Sequence, residues 1–195
     1  YEDVYQNDEK VTVPHDFITN NCEYDSYMYA DHIISGTQCG VDFLVNTMGI
    51  LAKKISIVHN GTDDYAKEFK RTYDIADKSS AIQCVFVANL YKSKGLDFIL
   101  DALRIVSKKG YNVSLKIVGY TTPFITSKIK DKYSDLNIQV LGVQSFDKLA
   151  NLYRQSDIGL IASLQEQWRF VGVEMAMFGL PIVTTAVDGL DEIFT

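Results

Sequence analysis

Residues 163–185 read SLQEQWRFVGVEMAMFGLPIVTT, and the predicted architecture of the chain depends on this segment. The apolar run at 158–162 that precedes it has the length of a buried strand. The spacing of the apolar side chains that follow predicts a helix. They are Val171, Met175 and Phe178. Gly179 and Pro181 end that helix, and the apolar pair at 182–183 begins another strand.

Two glutamates, Glu166 and Glu174, are separated by seven residues in this segment. Because their spacing is slightly over two turns at ~3.6 residues per turn, a helix that starts near Arg169 would turn both carboxylates toward one cleft. The helix N-terminus between them presents N–H groups that attract anions such as phosphates. Carboxylates beside such groups suit a sugar nucleotide. The alternative is a solvent-exposed helix start whose acidic side chains complement the helix dipole.

Length and charge narrow the class of protein. The 195 residues suffice for one full domain and part of another. A net charge of −6 and no basic stripe with interleaved aromatic residues argue against nucleic acid as a partner. The hydrophobic fraction of 47% supports a real core, and no apolar run approaches the ~18 residues that span a bilayer.

The three cysteines, Cys22, Cys39 and Cys84, have neither metal-binding spacing nor the spacing of a redox pair. Cys84 lies in an apolar run and is predicted to be a small buried hydrophobe. Three cysteines without a disulfide pattern indicate a protein of the reducing cytosol. The chain shows no signal-peptide pattern, starts without Met and stops inside a predicted helix, so we expect a fragment of a longer protein.

From residue 81 onward, apolar runs alternate with amphipathic segments. The predicted strands are at 82–88, 113–118, 138–141, 158–162 and 182–183, and the helices between them are at 97–106, 124–132, 146–153 and 169–178. This alternation predicts right-handed βαβ units and an α/β fold with a parallel sheet. Ligands bind beyond the carboxyl ends of such strands. Those ends carry Asn89, Gly119, Gly142 and Glu166.

The part before residue 81 is less regular. Short strands are predicted at 11–13, 31–35 and 54–58, and helices at 24–30 and 38–48. The turn His-Asn-Gly-Thr-Asp at 59–63 follows the last of these strands, and a charged segment occupies 65–80.

These features together resemble the retaining GT-B glycosyltransferases of the family 4 type, the group 1 glycosyl transferases with an E-x7-E motif. The match includes the strand, the first Glu, the helix, the second Glu, Gly-hydrophobic-Pro, the next strand and Gly-Leu-x-Glu at 189–192. Ala30-Asp31, Ile33-Ile34, Lys54-Ile55 and the Asn-Gly-x-Asp turn at 60–63 match the N-terminal half of the family pattern.

The resemblance implies a domain division and a fold. A remnant of the N-terminal acceptor-side domain would occupy 1–64 and a linker 65–80. A Rossmann-like donor-binding domain, truncated at its C-terminus, would occupy 81–195 and contain a parallel sheet flanked by helices.

The activity that the resemblance implies is transfer of a hexosyl-type sugar from a UDP- or GDP-sugar to a glycan, lipid-linked or protein acceptor, with retention of configuration. Such enzymes usually need no metal or other cofactor and act in cell-surface polysaccharide or other glycan biosynthesis. A cytoplasmic protein, peripheral at the cytoplasmic membrane face, is expected. Residues 1–195 alone would be inactive, because positioning by two complete domains supplies much of the rate.

The family pattern also implies roles for individual residues. Glu166 would bind hydroxyls of the donor sugar as a catalytic residue, and Glu174 would bind the ribose hydroxyls. The backbone at Gly142 and Val143 would meet the base, although Gly142 also fits an ordinary strand-to-loop turn. The predicted donor site further contains Phe170 and Val171 at the helix start.

Lys94 matches the lysine of the family's G-R-L-x-x-x-K-G segment, where a cation stabilises the leaving diphosphate. An ordinary exposed lysine at a helix start is the alternative. Asn89 stands where the family has arginine, and its amide can donate a hydrogen bond but carries no charge. Where the family has E-G-F-G, this chain has Glu166-Gln167-Trp168-Arg169. Arg169 would then supply the charge lost at position 89, or else point to solvent.

The three histidines are interpreted separately. The context Val-Pro-His-Asp at 13–16 resembles the family's V-x-x-H-D, so His15 is a candidate active-site residue near the reacting sugar, although its distance to Ala30-Asp31 is short. His32 and His59 are interpreted as ordinary surface or strand-end residues.

Two other functions stay open at this point. The loss of arginine at 89 and of glycines at 167 and 169 favours a non-catalytic nucleotide-sugar-binding module or a degenerate partner of an active transferase. A sugar-nucleotide epimerase of similar architecture would turn over a free UDP-sugar without any acceptor.

Overall fold

The structure is a computed structural model that describes residues 22–69, 71, 81–89, 92–164, 166, 168–187 and 189–194. His15 and the predicted strand at 11–13 lie outside these residues. Within the described ranges, no helix is both long enough and apolar enough to cross a membrane.

The described helices and strands are, in chain order, α1 (residues 22–29), β1 (Ile33–Ser35), α2 (Gln38–Asn46), β2 (Ile55–Ile57), β3 (Ile82–Val87), α3 (Leu96–Lys108), β4 (Val113–Val118), α4 (Pro123–Lys132), β5 (Asn137–Gly142), α5 (Phe146–Gln155), β6 (Ile158–Ile161), α6 (Phe170–Met177), β7 (Ile182–Thr184) and α7 (Gly189–Ile193). Short 3₁₀ turns occupy Ala52–Lys54 and Lys92–Lys94.

The chain forms two compact units, and each is considered by itself. The larger unit takes its described residues from 63–165 and 170–185. The smaller unit takes its described residues from 22–62, 166–169 and 186–194. The division into 1–64, 65–80 and 81–195 stays a prediction.

The larger unit contains a five-stranded sheet in the order β5-β4-β3-β6-β7. Every neighbouring pair is parallel, and in the central strand Cys84 pairs with Leu115 on one side and Ile158 on the other. Parallel strands need crossover connections, which here are the helices between them. This architecture confirms the predicted α/β fold with a parallel sheet flanked by helices.

Helix α3 packs its apolar face on the centre of this sheet. Leu100 is fully buried and Ile99 and Leu103 are nearly so, as their helical spacing predicts. Phe86 of β3 and Ile117 of β4 are buried in the same cluster. Removing such side chains from water contributes about 1.5–3 kcal/mol each, so this cluster fixes the strands relative to one another.

Cys84 lies on β3 within that core, with 3% of its surface exposed. Burial, and then the negative charge of Asp157, raise the pKa of its thiol to about 11. The thiol is therefore neutral at physiological pH. This confirms that Cys84 is a small buried hydrophobe.

The inward face of α5 includes more than the two predicted leucines. Leu149 and Leu152 are half-buried, and Ala150 and Tyr153 on the same face are buried. A phenol can be buried at low cost only when its hydroxyl has a hydrogen-bond partner. The partner here is the Glu174 carboxylate of α6, 2.8 Å away.

The smaller unit has a parallel pair, β1 and β2, covered by α2. Ile33, Leu44 and Ile50 form its buried cluster. The predicted strand at 31–35 is shorter than expected and is not buried on both faces, since Ile34 is 68% exposed. Side chains alternate between the faces of a strand, and in the described residues α2 covers only the face that carries Ile33.

The Gly-Leu-x-Glu segment of α7 has a structural role in the smaller unit. The Glu192 carboxylate accepts hydrogen bonds from the backbone N–H groups of Gln38, at 2.7 Å, and Cys39, at 2.8 Å. These are unpaired donors of the first turn of α2, where a negative charge also complements the helix dipole. Thr37 caps the same turn by accepting from the Gly40 N–H.

Candidate functional site

The carboxyl ends of β3 and β4 lie side by side in the larger unit because these strands are parallel. Asn89 follows β3, and its Oδ1 accepts a hydrogen bond from the Tyr120 N–H at 3.3 Å. The amide nitrogen is therefore the end of Asn89 that can donate to a ligand. Gly119, at the end of β4, packs against the end of β3. Glycine is required there, since a Cβ would lie 1.8 Å from the Ala88 carbonyl oxygen.

Lys94 is half-buried and lies in a turn that is attached to the end of β6. The carbonyl of its neighbour Ser93 accepts from the Leu164 N–H at 2.8 Å. Its other neighbour, Gly95, has a φ of +67° and packs so tightly that a Cβ would lie 1.9 Å from the Ala162 carbonyl oxygen. The lysine backbone is thus fixed beside the segment that leads into the E-x7-E motif.

Gly142 ends β5 with a φ of +67°, a left-handed conformation that favours glycine. Its carbonyl accepts from the Gly119 N–H at 3.0 Å. A Cβ on Gly142 would have nothing within 4 Å, so backbone conformation alone accounts for the glycine. The next residue, Val143, is 71% exposed. Contact of these two residues with a base stays a prediction.

Helix α6 begins at Phe170, which is 46% exposed, and continues through the half-buried Val171. Glu174 lies one turn further along and is also half-buried. Its Oε2 accepts from the fully buried Tyr153 hydroxyl, so the carboxylate is restrained on one side. A carboxylate has about four lone-pair positions, so this hydrogen bond leaves capacity for a ligand.

Glu166 and Arg169 belong to the smaller unit and form an ion pair of 2.9 Å between Oε2 and Nη1. Only 13% of the glutamate side chain and 7% of the arginine side chain are exposed. Arg169 is therefore buried against the carboxylate and does not point to solvent. Whether its charge compensates for the asparagine at position 89 stays a prediction.

His59 has a more defined position than its interpretation as an ordinary strand-end residue. Its ring stacks on Trp168 with centroids 5.7 Å apart, and its Nδ1 lies 2.9 Å from the Gly36 carbonyl oxygen. Both His59 and Gly36 follow strands of the β1–β2 pair. The position of His59 after an apolar run could have signalled this, because carboxyl ends of parallel strands meet at one edge.

The segment that contains most of these candidate residues matches a known protein family. Residues 81–195, more than half of the chain, match the family described as "Glycosyl transferases group 1". The chain belongs to the group 1 glycosyl transferase family. Glu166, Glu174 and Lys94 all fall inside the matched residues of this glycosyltransferase domain.

The chain is similar to curated relatives over much of its own length. It is 27% identical to the D-inositol 3-phosphate glycosyltransferase of Corynebacterium kroppenstedtii in a 189-residue alignment that covers 87% of this chain and 41% of the relative. The chain spans about two fifths of the length of the curated relatives it matches.

Solved glycosyltransferase structures share the fold. The sucrose-phosphate synthase of Thermosynechococcus elongatus matches with a TM-score of 0.78 at 18% identity, covering 98% of this chain and 50% of that one. A pneumococcal O-GlcNAc transferase, solved in complex with UDP and GlcNAc, matches with a TM-score of 0.63 at 19% identity. That match covers 86% of this chain and 32% of the transferase.

The buried ion pair between Glu166 and Arg169 gives a first testable prediction. Arg169→Met should lower the free energy of unfolding by about 3 kcal/mol, because it removes one partner of a buried ion pair. The double variant Glu166→Gln/Arg169→Met should recover part of that loss. Urea unfolding of Arg169→Met, Glu166→Gln and the double variant measures the coupling energy between the two side chains. Strictly additive losses would contradict a direct interaction.

Proposed function

We propose that this chain provides the donor-binding part of a retaining glycosyltransferase that moves a hexose-type sugar from a UDP- or GDP-sugar to an acceptor. The observation that carries the proposal is the placement of Lys94 within the group 1 glycosyl transferase domain. The turn that holds it is fixed at the carboxyl edge of a parallel sheet, where α/β folds bind nucleotides.

Each part of the nucleoside diphosphate has a candidate partner in the larger unit. The Lys94 ammonium and the N-terminus of α6, at Phe170 and Val171, would bind the diphosphate. Gly142 and Val143 would contact the base, and Glu174 would bind the ribose hydroxyls. Glu166, the first glutamate of the motif, would bind hydroxyls of the transferred sugar.

The chemistry needs a charge that is fixed where negative charge develops. As the bond between the sugar and the diphosphate breaks, its electron pair moves to the diphosphate oxygen. A cation on a restrained backbone stabilises that charge without reorganising, and such preorganised electrostatics are usually the largest single contribution to catalysis. Lys94 fits this role because both of its neighbours are tied to the end of β6. We infer no metal in this step.

The proposed donor is supported by analogy with a solved neighbour. The pneumococcal transferase was solved with UDP and GlcNAc, which supports a nucleoside diphosphate sugar as the donor. We propose a glycan, lipid-linked or protein acceptor, a role in polysaccharide or other glycan biosynthesis, and a cytoplasmic site of action peripheral to the membrane.

The second candidate is a nucleotide-sugar-binding module without catalytic activity. The environment of Asn89 favours it, because an uncharged side chain whose oxygen already accepts from the Tyr120 N–H cannot act as a second cation. This module would bind the donor as the enzyme does. Transfer assays on the full-length protein with a panel of donors therefore separate the two candidates.

Binding of nucleoside diphosphates tests the site itself. We expect the protein to bind UDP or GDP in calorimetry without an acceptor. Lys94→Gln should weaken that binding roughly tenfold or more, because hydrogen bonds to charged groups contribute about 1.5–3 kcal/mol.

Uridine or guanosine serves as the matched ligand, since each lacks the diphosphate. The affinity for this nucleoside should be the same in Lys94→Gln and in the wild type. A folded protein that binds no nucleoside diphosphate at millimolar concentration would contradict the proposed site.

A further inference from the structure

Tyr153, in the last turn of α5, is fully buried, yet its hydroxyl is directed at a carboxylate that is only half-buried. The phenol oxygen lies 2.8 Å from Glu174 Oε2 on α6. The phenol ring packs against Phe178 with centroids 5.6 Å apart. The donor of this hydrogen bond is therefore held in the core, while the acceptor extends toward the surface.

Arg71 restrains the backbone on both sides of the same hydrogen bond. Its Nε donates to the Phe178 carbonyl at 2.9 Å, just after α6. Its Nη1 and Nη2 donate to the carbonyls of Ser156, at 2.6 Å, and Tyr153, at 2.5 Å, at the end of α5. These carbonyls lie at helix C-termini, where acceptors lack partners within the helix and a cation is favourable. One guanidinium thus joins the ends of the two helices.

We infer that Tyr153 is a positioning residue that orients the Glu174 carboxylate for the ribose of the donor. It would thereby set the preference for ribonucleotides over 2′-deoxyribonucleotides. This inference rests on the proposed function, in which Glu174 binds the ribose hydroxyls.

The physical reason is the geometry that a ribose demands. Its two neighbouring hydroxyls both donate, and a carboxylate accepts both well only in one orientation of its plane. A glutamate with several rotatable bonds loses that orientation unless something holds it, and holding it in advance lowers the cost of binding. The phenol occupies Oε2 from one side and leaves Oε1 and the remaining lone pairs for the ligand.

A merely structural tyrosine would behave differently. Its loss would lower the stability of the protein and weaken the binding of every nucleotide by the same factor. Loss of a positioning hydrogen bond instead weakens binding of the ribonucleotide more than binding of its 2′-deoxy analogue. Only the ribonucleotide has both hydroxyls. The ratio of the two affinities therefore reports positioning, and stability does not influence it in a folded protein.

The experiment measures dissociation constants of UDP and 2′-deoxy-UDP, or of the guanosine pair if GDP binds better, by calorimetry. We expect the wild type to prefer the ribonucleotide about tenfold, the factor that one hydrogen bond to a charged group gives. Tyr153→Phe should reduce this preference to less than threefold while keeping the ring packed on Phe178.

Tyr133 provides a matched control in the same unit. It is also nearly fully buried, and its hydroxyl donates to Asp101 Oδ1 at 3.0 Å. Tyr133→Phe thus removes an equivalent buried phenol–carboxylate hydrogen bond from the contact between α3 and the end of α4. It should keep the wild-type preference for the ribonucleotide.

Glu174→Asp is a second variant that tests the inference if Tyr153→Phe does not fold. It keeps the charge but shortens the side chain, so the carboxylate cannot reach both the phenol and the ribose. It should also lose most of the preference.

The inference is overturned if Tyr153→Phe or Glu174→Asp keeps the wild-type preference, or if Tyr133→Phe loses it as well. A wild type that binds UDP and 2′-deoxy-UDP equally would overturn both the ribose role of Glu174 and the inference. A wild type that prefers UDP, with a Tyr153→Phe variant that keeps the preference, would overturn the inference alone.

Discussion

Glu174→Ala is expected to lower the affinity of the protein for UDP or GDP by roughly ten- to a hundredfold. If the carboxylate binds the ribose, the variant loses the net equivalent of one hydrogen bond to a charged group, which contributes about 1.5–3 kcal/mol. Calorimetry on the folded variant measures the loss. Because Glu174 also accepts from the buried Tyr153 hydroxyl, far-UV circular dichroism and urea unfolding must show that the variant is folded.

Glu166→Ala is the matched comparison, because it removes the other carboxylate of the motif. If Glu166 contacts only the transferred sugar, affinity for free UDP or GDP should remain nearly unchanged while sugar transfer by the full-length protein falls. Contacts to the reacting sugar act mainly in the transition state, so their loss appears in the rate. Equal losses of nucleotide affinity in the two variants, or no loss in either, would mean that the roles are wrongly assigned.

Gly95→Ala is expected to lower the free energy of unfolding by about 4 kcal/mol or more. The new Cβ would lie 1.9 Å from the Ala162 carbonyl oxygen, at a φ of +67°. Both the backbone conformation and the overlap cost energy, and backbone atoms at the junction of α3 and β6 cannot move aside cheaply. Urea unfolding provides the measurement, and the variant should also lose nucleotide binding because Lys94 is displaced.

Gly110→Ala separates the two contributions. Gly110 also has a positive φ, +89°, but a Cβ there would have nothing within 4 Å. The substitution should therefore cost only the ~1–2 kcal/mol of a left-handed conformation. If Gly95→Ala proved no more destabilising than Gly110→Ala, the close packing at Ala162 would not be what requires glycine at position 95.

The fold could be predicted because it depends on patterns that are local in the sequence. The run at 113–118 coincides with β4, and the helical spacing of Ile99, Leu100 and Leu103 identified the buried face of α3. A helical segment follows each apolar run before the next one begins. Strands joined by helical crossovers are parallel, so a parallel sheet was expected. The two leucines predicted to face inward on α5 are partly buried, but the buried Tyr153 between α5 and α6 was not predicted, because its partner Glu174 lies on another element.

The interactions that position the candidate site were not predictable in the same way. Tyr153 reaches Glu174 across 21 residues, and Arg71 reaches the Phe178 carbonyl across 107 residues. Neither contact follows from the periodicity of a single element, and the segment that contains Arg71 was interpreted as a linker. The motif could identify Glu166 and Glu174 as candidates, but it carried no information about their protein partners.

We propose that the whole protein transfers sugar from a nucleoside diphosphate sugar. The most direct measurement incubates the full-length protein with a panel of UDP- and GDP-sugars, with and without candidate acceptors, and follows both nucleotide release and product formation. We expect one donor to yield a glycosylated product with its anomeric configuration retained, and nucleotide release to rise when the acceptor is present. Conversion of a free UDP-sugar to its epimer without acceptor, or donor binding with no transfer by the folded protein, would contradict it.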